Sequence, residues 1–74
     1  ITQYIHEKTQ LEVYPNPTSS TLYIKSSSNS KRELFNSIGQ LLFTTKENEI
    51  DVSKYSKGVY YLKVASKFKK IIIE

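Results

Sequence analysis

Cysteine is absent from this sequence, which rules out disulfides, thiolate metal ligands and a cysteine nucleophile. Export remains open, but the usual staple of small secreted domains is missing. Methionine and tryptophan are absent too. With no methionine at position 1, the chain is expected to be a piece of a longer protein. His6 is the single histidine, so neither a His–His metal pair nor a Ser-His-Asp triad can be assembled. The two glycines stand nineteen residues apart, which excludes a glycine-rich phosphate loop. Apolar runs are short, three residues in Ile71-Ile72-Ile73 and four in Val59-Tyr60-Tyr61-Leu62, against the ~20 that a membrane-spanning helix requires. A basic start followed by an apolar stretch, the mark of an export signal, is also missing.

What is present is a short basic chain. Its 74 residues suffice for one domain, which at this size buries only about 60–65% of the surface its unfolded chain exposes. The net charge is +4, but Arg32 is the only arginine among the eleven bases. Arginine makes most of the bidentate contacts by which proteins read nucleic acids, so a nucleic-acid partner is not expected. The densest basic group, Lys67-Phe68-Lys69-Lys70, reads as a solvated strand face whose lysines protect an edge.

Hydrophobic residues recur with a period of two. Leu11 and Val13 alternate with Glu12 and Tyr14, which predicts a short half-buried strand. Tyr14-Pro15-Asn16-Pro17 then ends it, because neither proline can donate to a ladder and each holds the preceding residue extended. Asn16, Thr18, Ser19 and Ser20 suit local side-chain-to-backbone turns. Residues 21–25 alternate again, with Leu22 and Ile24 on one face, and the Ser/Asn run 26–30 is a surface loop. Glu33-Leu34-Phe35 is a third strand. Gly39 supplies the positive φ of a tight hairpin, and Gln40 leads into the return strand over residues 41–45. Residues 49–52 form a fifth strand. Gly58 opens the strongest one, residues 59–65, with Tyr60, Leu62 and Val64 on one face. Ser66-Lys67 is read as a tight turn into residues 68–74, where Ile71 and Ile73 face one way and Ile72 the other.

No helical period is long enough to hold a helix. Seven short antiparallel strands with turn signals between them predict an all-β, immunoglobulin-like β-sandwich. The cysteine pair and tryptophan of antibody domains are lacking. Residues 11–74 are expected to be the domain, and residues 1–10 a linker from a cargo protein or a ragged first strand.

Two constellations invite chemistry. In an extended segment Glu47, Glu49 and Asp51 place three carboxylates on one face, a set of oxygens suited to calcium. No Asp/Asn-rich loop with a fixed glycine accompanies them, and Lys46 and Lys54 are close, so a solvated acidic turn is the expectation. Tyr14, Tyr23, Tyr55 and Tyr61 fall at outward positions that would suit a sugar platform. Tyrosine is equally a packing residue of half-wet sheets. Neither catalytic residues nor a cofactor or metal site is expected.

Three blocks taken together carry a resemblance: "VYPNPTSSTLYI" at 13–24, "LFNSIGQLLF" at 34–43 and "IDVSKYSKGVYYLKV" at 50–64, closed by "KKIII" at 69–73. In order and spacing they resemble the type A C-terminal sorting domain of the type IX (Por) secretion system, over residues 11–74. Ser20 stands where members often carry glycine, and Phe35 and Tyr55 where an aliphatic residue is commoner. The resemblance implies a C-terminal secretion signal that is not an enzyme. It implies a Gram-negative host, passage through the periplasm and delivery of a fused cargo to the cell surface or medium. Implied partners are the outer-membrane translocon, its shuttle proteins and a sortase-like cysteine peptidase that cuts upstream and attaches the cargo to the surface. The residues it singles out are Tyr14, Pro15, Asn16, Pro17, Gly39, Gln40, Gly58, Tyr60, Lys69, Lys70, Ile71, Ile72 and Ile73. The alternative reading is a carbohydrate-binding or adhesive β-sandwich.

Overall fold

A computed structural model describes residues 10–74. The expected linker over residues 1–10, with His6, therefore lies outside the described residues apart from Gln10. The strands are β1 (Leu11–Tyr14), β2 (Thr21–Ser26), β3 (Arg32–Asn36), β4 (Leu41–Thr45), β5 (Glu49–Asp51), β6 (Gly58–Val64) and β7 (Lys67–Ile73), and the described residues contain no helix.

The strands divide into a three-stranded sheet, β1-β2-β5, and a four-stranded sheet, β4-β3-β6-β7. Every strand pairing is antiparallel. The chain changes sheet between β2 and β3, returns between β4 and β5, and crosses again before β6. These crossovers and hairpins give the Greek-key connectivity of immunoglobulin-like sandwiches. The alternation explains why the two sheets meet: each strand has one apolar side that only another sheet can cover. Leu22, Ile24 and Ile50 from one sheet face Leu34, Leu62, Val64, Ile71 and Ile73 from the other, with Val52 among them, all buried.

Tyr60 occupies a particular place in that core. Its ring is buried, and its hydroxyl donates to the Ser56 carbonyl at 2.7 Å, four residues back along the connection from β5. This is the tyrosine corner of immunoglobulin-like sandwiches, which pins the β5–β6 connection to the start of β6. The bond spares a buried hydroxyl the cost of having no partner.

Three expectations need correction. The β6–β7 turn falls at Ala65-Ser66, not Ser66-Lys67, so β6 ends at Val64 and β7 begins at Lys67. Ala65 adopts φ +57°, a left-handed conformation that a β-branched or bulky residue would resist. Tyr55 is not an outward residue: it is half-buried against the core, its ring 5.9 Å from that of Tyr60. The ammonium of Lys54 sits 5.5 Å from the ring centroids of both Phe43 and Tyr55, so the connection after β5 shields the apolar side of β4. Finally, Asn16 makes no local turn, as described next.

Candidate recognition surface at the C-terminal strand

β7 is an edge strand, and by position an exposed row of backbone donors and acceptors. Over its C-terminal half that row is covered. The Asn16 side chain donates from Nδ2 to the Lys70 carbonyl at 2.9 Å and accepts the Ile72 N–H on Oδ1 at 3.0 Å. Two residues on, the Thr18 N–H donates to the Ile72 carbonyl at 3.0 Å, and the Glu74 N–H donates to the Thr18 carbonyl at 2.8 Å. Thr18 thereby forms a parallel bridge with Ile73. It is itself buried, with its hydroxyl bonded to the Thr21 carbonyl at 3.0 Å. The prolines that stop β1 thus bring the chain alongside β7, where one carboxamide serves in place of a strand residue. Both X–Pro bonds of the segment, Tyr14-Pro15 and Asn16-Pro17, are cis.

Pro15, Asn16 and Pro17 are exposed beside the exposed Lys69 and Lys70 and the half-buried Ile72. Ile71 and Ile73 point inward and are fully or nearly fully buried. Lys67 and Lys69 share the inward side of β7 with them but lie beyond the covered core, and both are exposed. Inward-directed charges on an edge strand obstruct edge-to-edge pairing, as the basic run suggested.

Gly39 and Gln40 lie apart from this surface, and Gly58 meets it only through its pairing with Ile73. Gly39 takes φ +87° in the β3–β4 turn. Asn36 holds that turn together: its Oδ1 accepts the Ile38 and Gln40 N–H groups at 3.1 and 2.9 Å, and its Nδ2 donates to the Gln40 side-chain oxygen at 2.8 Å. Gly58, at φ +153°, begins β6 opposite Ile73. Tyr60 belongs to the core. Of the residues singled out by sequence, the structure joins Asn16 to Lys70 and Ile72, and assigns Gly39, Gln40, Gly58 and Tyr60 to turns and packing.

Among the described residues no three His, Cys, Asp or Glu side chains converge as cation ligands. Glu49 and Asp51 are exposed on one face of β5, and the Asp51 carboxylate is occupied by Ser53. The Ser53 hydroxyl donates to Asp51 Oδ1 at 2.6 Å and its N–H at 2.9 Å. These bonds, side chain first, hold Asp51 below the usual carboxylate range, with a smaller push from the Lys54 charge. No helix of the described residues is long and apolar enough to cross a membrane.

Residues 12–74 match the family described as the secretion system C-terminal sorting domain. The chain belongs to the type IX secretion C-terminal sorting domains. No curated protein and no solved structure matches it. A sorting domain of this system is a non-catalytic tag that engages the secretion machinery and marks its cargo for export. The Asn16 bridge gives two of the sequence blocks a shared structural role in this domain: the Pro-Asn-Pro block is the cover of the terminal block. Sequence reading missed that contact, because the partners lie 54 and 56 residues apart and are backbone groups.

Proposed function

We propose that the sorting domain is read on the surface where the Pro-Asn-Pro segment meets β7, through Pro15, Pro17, Lys69, Lys70 and the outward side of Ile72. The observation that carries this reading is the double hydrogen bond from Asn16 to Lys70 and Ile72, which makes one continuous exposed surface from two distant blocks. The outer-membrane translocon and its shuttle proteins are the readers. Strand addition along residues 70–74 would compete with Asn16 and Thr18, so recognition here works through side chains. The cargo precedes the domain in the chain and passes through the periplasm of a Gram-negative cell. A sortase-like cysteine peptidase cuts before the Pro-Asn-Pro block and attaches the cargo to the surface. Residues 11–74 are the folded label, and the residues before them are the linker.

A reporter fused to the whole chain in a secreting host tests this. The intact fusion is expected outside the cell. Lys69→Glu and Ile72→Ser variants that retain the wild-type melting curve are expected to leave it in the periplasm. Full export of both folded variants removes the β7 surface from the reading.

A carbohydrate-binding role has one observation in its favour. The exposed rings of Tyr14 and Tyr23 stack at 5.7 Å beside a shallow cavity of about 490 Å³ that Lys25, Glu47, Asn48 and Glu49 help to line. Saturable binding of a polysaccharide, lost on Tyr23→Ala, would establish it.

A further inference from the structure

Among the described residues nothing covers the outer face of the four-stranded sheet, and its composition is unusual for a solvated surface. Register sets Glu33, Lys63 and Phe68 in one cross-strand row and Phe35, Tyr61 and Lys70 in the next. The β3–β4 turn rises at one end and carries Ile38, which is 77% exposed, while Phe68 is 58% exposed. Between them lies a groove of about 470 Å³ whose apolar lining is Phe35, Ile38, Tyr61 and Phe68. Lys63 also lines it, with its ammonium 5.7 Å from the Phe68 ring centroid. A monomer has no structural reason to expose these side chains together, and such patches mark interaction sites.

Charge states which partner fits. On the outer face of this sheet stand Lys63 and Lys70 against a single acid, Glu33, while Lys67 and Lys69 lie on the opposite side of the edge strand and Arg32 is buried. Glu33 is itself drawn toward Lys31, at 3.8 Å. The strands of the other sheet reverse the balance, with Glu12, Glu49 and Asp51 against Lys25. The molecule is therefore polarised from sheet to sheet, and the groove lies on its basic side. Aromatic walls desolvate an inserted aliphatic side chain, and the lysines around them favour carboxylates at the rim.

We propose that the outer groove of the four-stranded sheet docks an acidic protein segment that inserts an aliphatic side chain between Ile38 and Phe68. The proposal rests on the sorting reading for its use in the cell, where that segment belongs to the secretion machinery, but the binding itself does not depend on it. The groove adjoins the Pro-Asn-Pro surface on the same sheet face, with Lys70 at the border, and supplies a second point of attachment.

The test titrates the isotopically labelled 74-residue chain with a capped peptide of alternating glutamate and leucine, followed by NMR. Saturable shifts are expected at Ile38, Tyr61, Lys63 and Phe68, weakening as salt is raised. Ile38→Ser and Phe68→Ser should each weaken binding about tenfold with the melting curve unchanged, since both side chains are already exposed. The same peptide with lysine replacing glutamate should not bind. Three results overturn the proposal: shifts absent from the groove, shifts confined to Tyr14 and Tyr23, or binding to phosphatidylglycerol vesicles but not to the peptide. Concentration-dependent self-association through the groove without peptide would assign the face to a second copy and overturn it too. Export of the reporter separates this claim from the sorting reading. An intact fusion that stays inside the cell counts against sorting and leaves the titration standing. Export unchanged by Ile38→Ser and Phe68→Ser counts only against the groove's use in the cell.

Discussion

Asn16 and Ile72 stand 56 positions apart in the chain, yet the carboxamide of one accepts the amide proton of the other at 3.0 Å. With its partner bond to the Lys70 carbonyl at 2.9 Å, this is a side chain acting as a strand. An edge strand, paired within the sheet on one side only, is ordinarily among the first elements to fray. Here its last residues are held on both sides, by β6 within the sheet and by the Pro-Asn-Pro segment outside it.

Asn16→Ala should therefore loosen β7 from its outer side. Two hydrogen bonds between exposed groups contribute together about 1–2 kcal/mol, since water replaces them only in part. For a domain of this size each kcal/mol lowers Tm by about 4–8 °C. Hydrogen exchange locates the effect: the Ile72 amide, which faces Asn16, should exchange faster, while that of Ile71, which faces β6, should change only with global stability. Equal acceleration at both would mean that Asn16 acts on the whole fold and not on the edge.

Core and surface positions of the terminal strands should separate cleanly. Leu62 and Ile71 are completely buried, whereas Ile72 lies on the outer face and is half-buried. Leu62→Ala removes packing on all sides and should cost about 2–5 kcal/mol, comparable with the whole stability of so small a domain. Ile72→Ala should cost about 1 kcal/mol or less, because half its side chain is already in water. Urea denaturation distinguishes them: Leu62→Ala is expected to be largely unfolded without urea, and Ile72→Ala to shift the midpoint slightly. A loss of export in the second variant would then report recognition and not unfolding.

The strands were legible because their signal is local. Alternation at Leu22 and Ile24, at Tyr60, Leu62 and Val64, and at Ile71 and Ile73 depends only on a period of two, and each of these residues is buried. Gly39 was equally plain, since a tight turn needs a positive φ there. Ala65 was not: alanine seldom takes φ +57°, and nothing in its neighbours shows that it will. Tyr55 sits in a connection without alternation, which gives no local sign of burial, whereas its place depends on the core against which it packs, with the Tyr60 ring 5.9 Å away. The bond of Asn16 to β7 and the burial of Arg32 were invisible for one reason. Both depend on which strands become neighbours across the sandwich, and that is set by packing of the whole chain.

Acid should erase one identifiable contribution. The Ser53 hydroxyl and N–H both bond the ionised Asp51 and lower its pKa in the folded chain. A carboxylate depressed on folding stabilises the native state above its unfolded pKa, and the benefit is lost as pH falls through the folded value. Asp51→Ala should thus be less stable than the wild type at neutral pH. The gap should narrow below the ordinary carboxylate range. Denaturation midpoints of the two proteins at neutral and acid pH check this; a gap that widens in acid would mean that Asp51 gains nothing from its charge.

Arg32 poses a sharper test, because it is a buried cation whose hydrogen-bond partners are all neutral. Its guanidinium donates to the Ser28 and Ser30 carbonyls and, at 2.7 Å, to Asn48 Oδ1, while Nε has no partner among the described residues. It ties the β2–β3 loop of one sheet connection to the β4–β5 turn of the other. Removing a charge from water is expensive, and these acceptors offset much of that cost without adding a large surplus. Arg32→Met, which keeps the stem and discards the charge, should therefore stay within about 1 kcal/mol of the wild type. Arg32→Lys should be worse than methionine by about 1–3 kcal/mol, since one ammonium cannot reach three acceptors held by a planar fork and remains a buried, under-bonded cation. The conservative change is thus predicted to be the damaging one. Urea midpoints in the order wild type, then methionine, then lysine support this account, whereas lysine matching arginine would show that charge alone, and not the geometry of the fork, holds the loop to the turn.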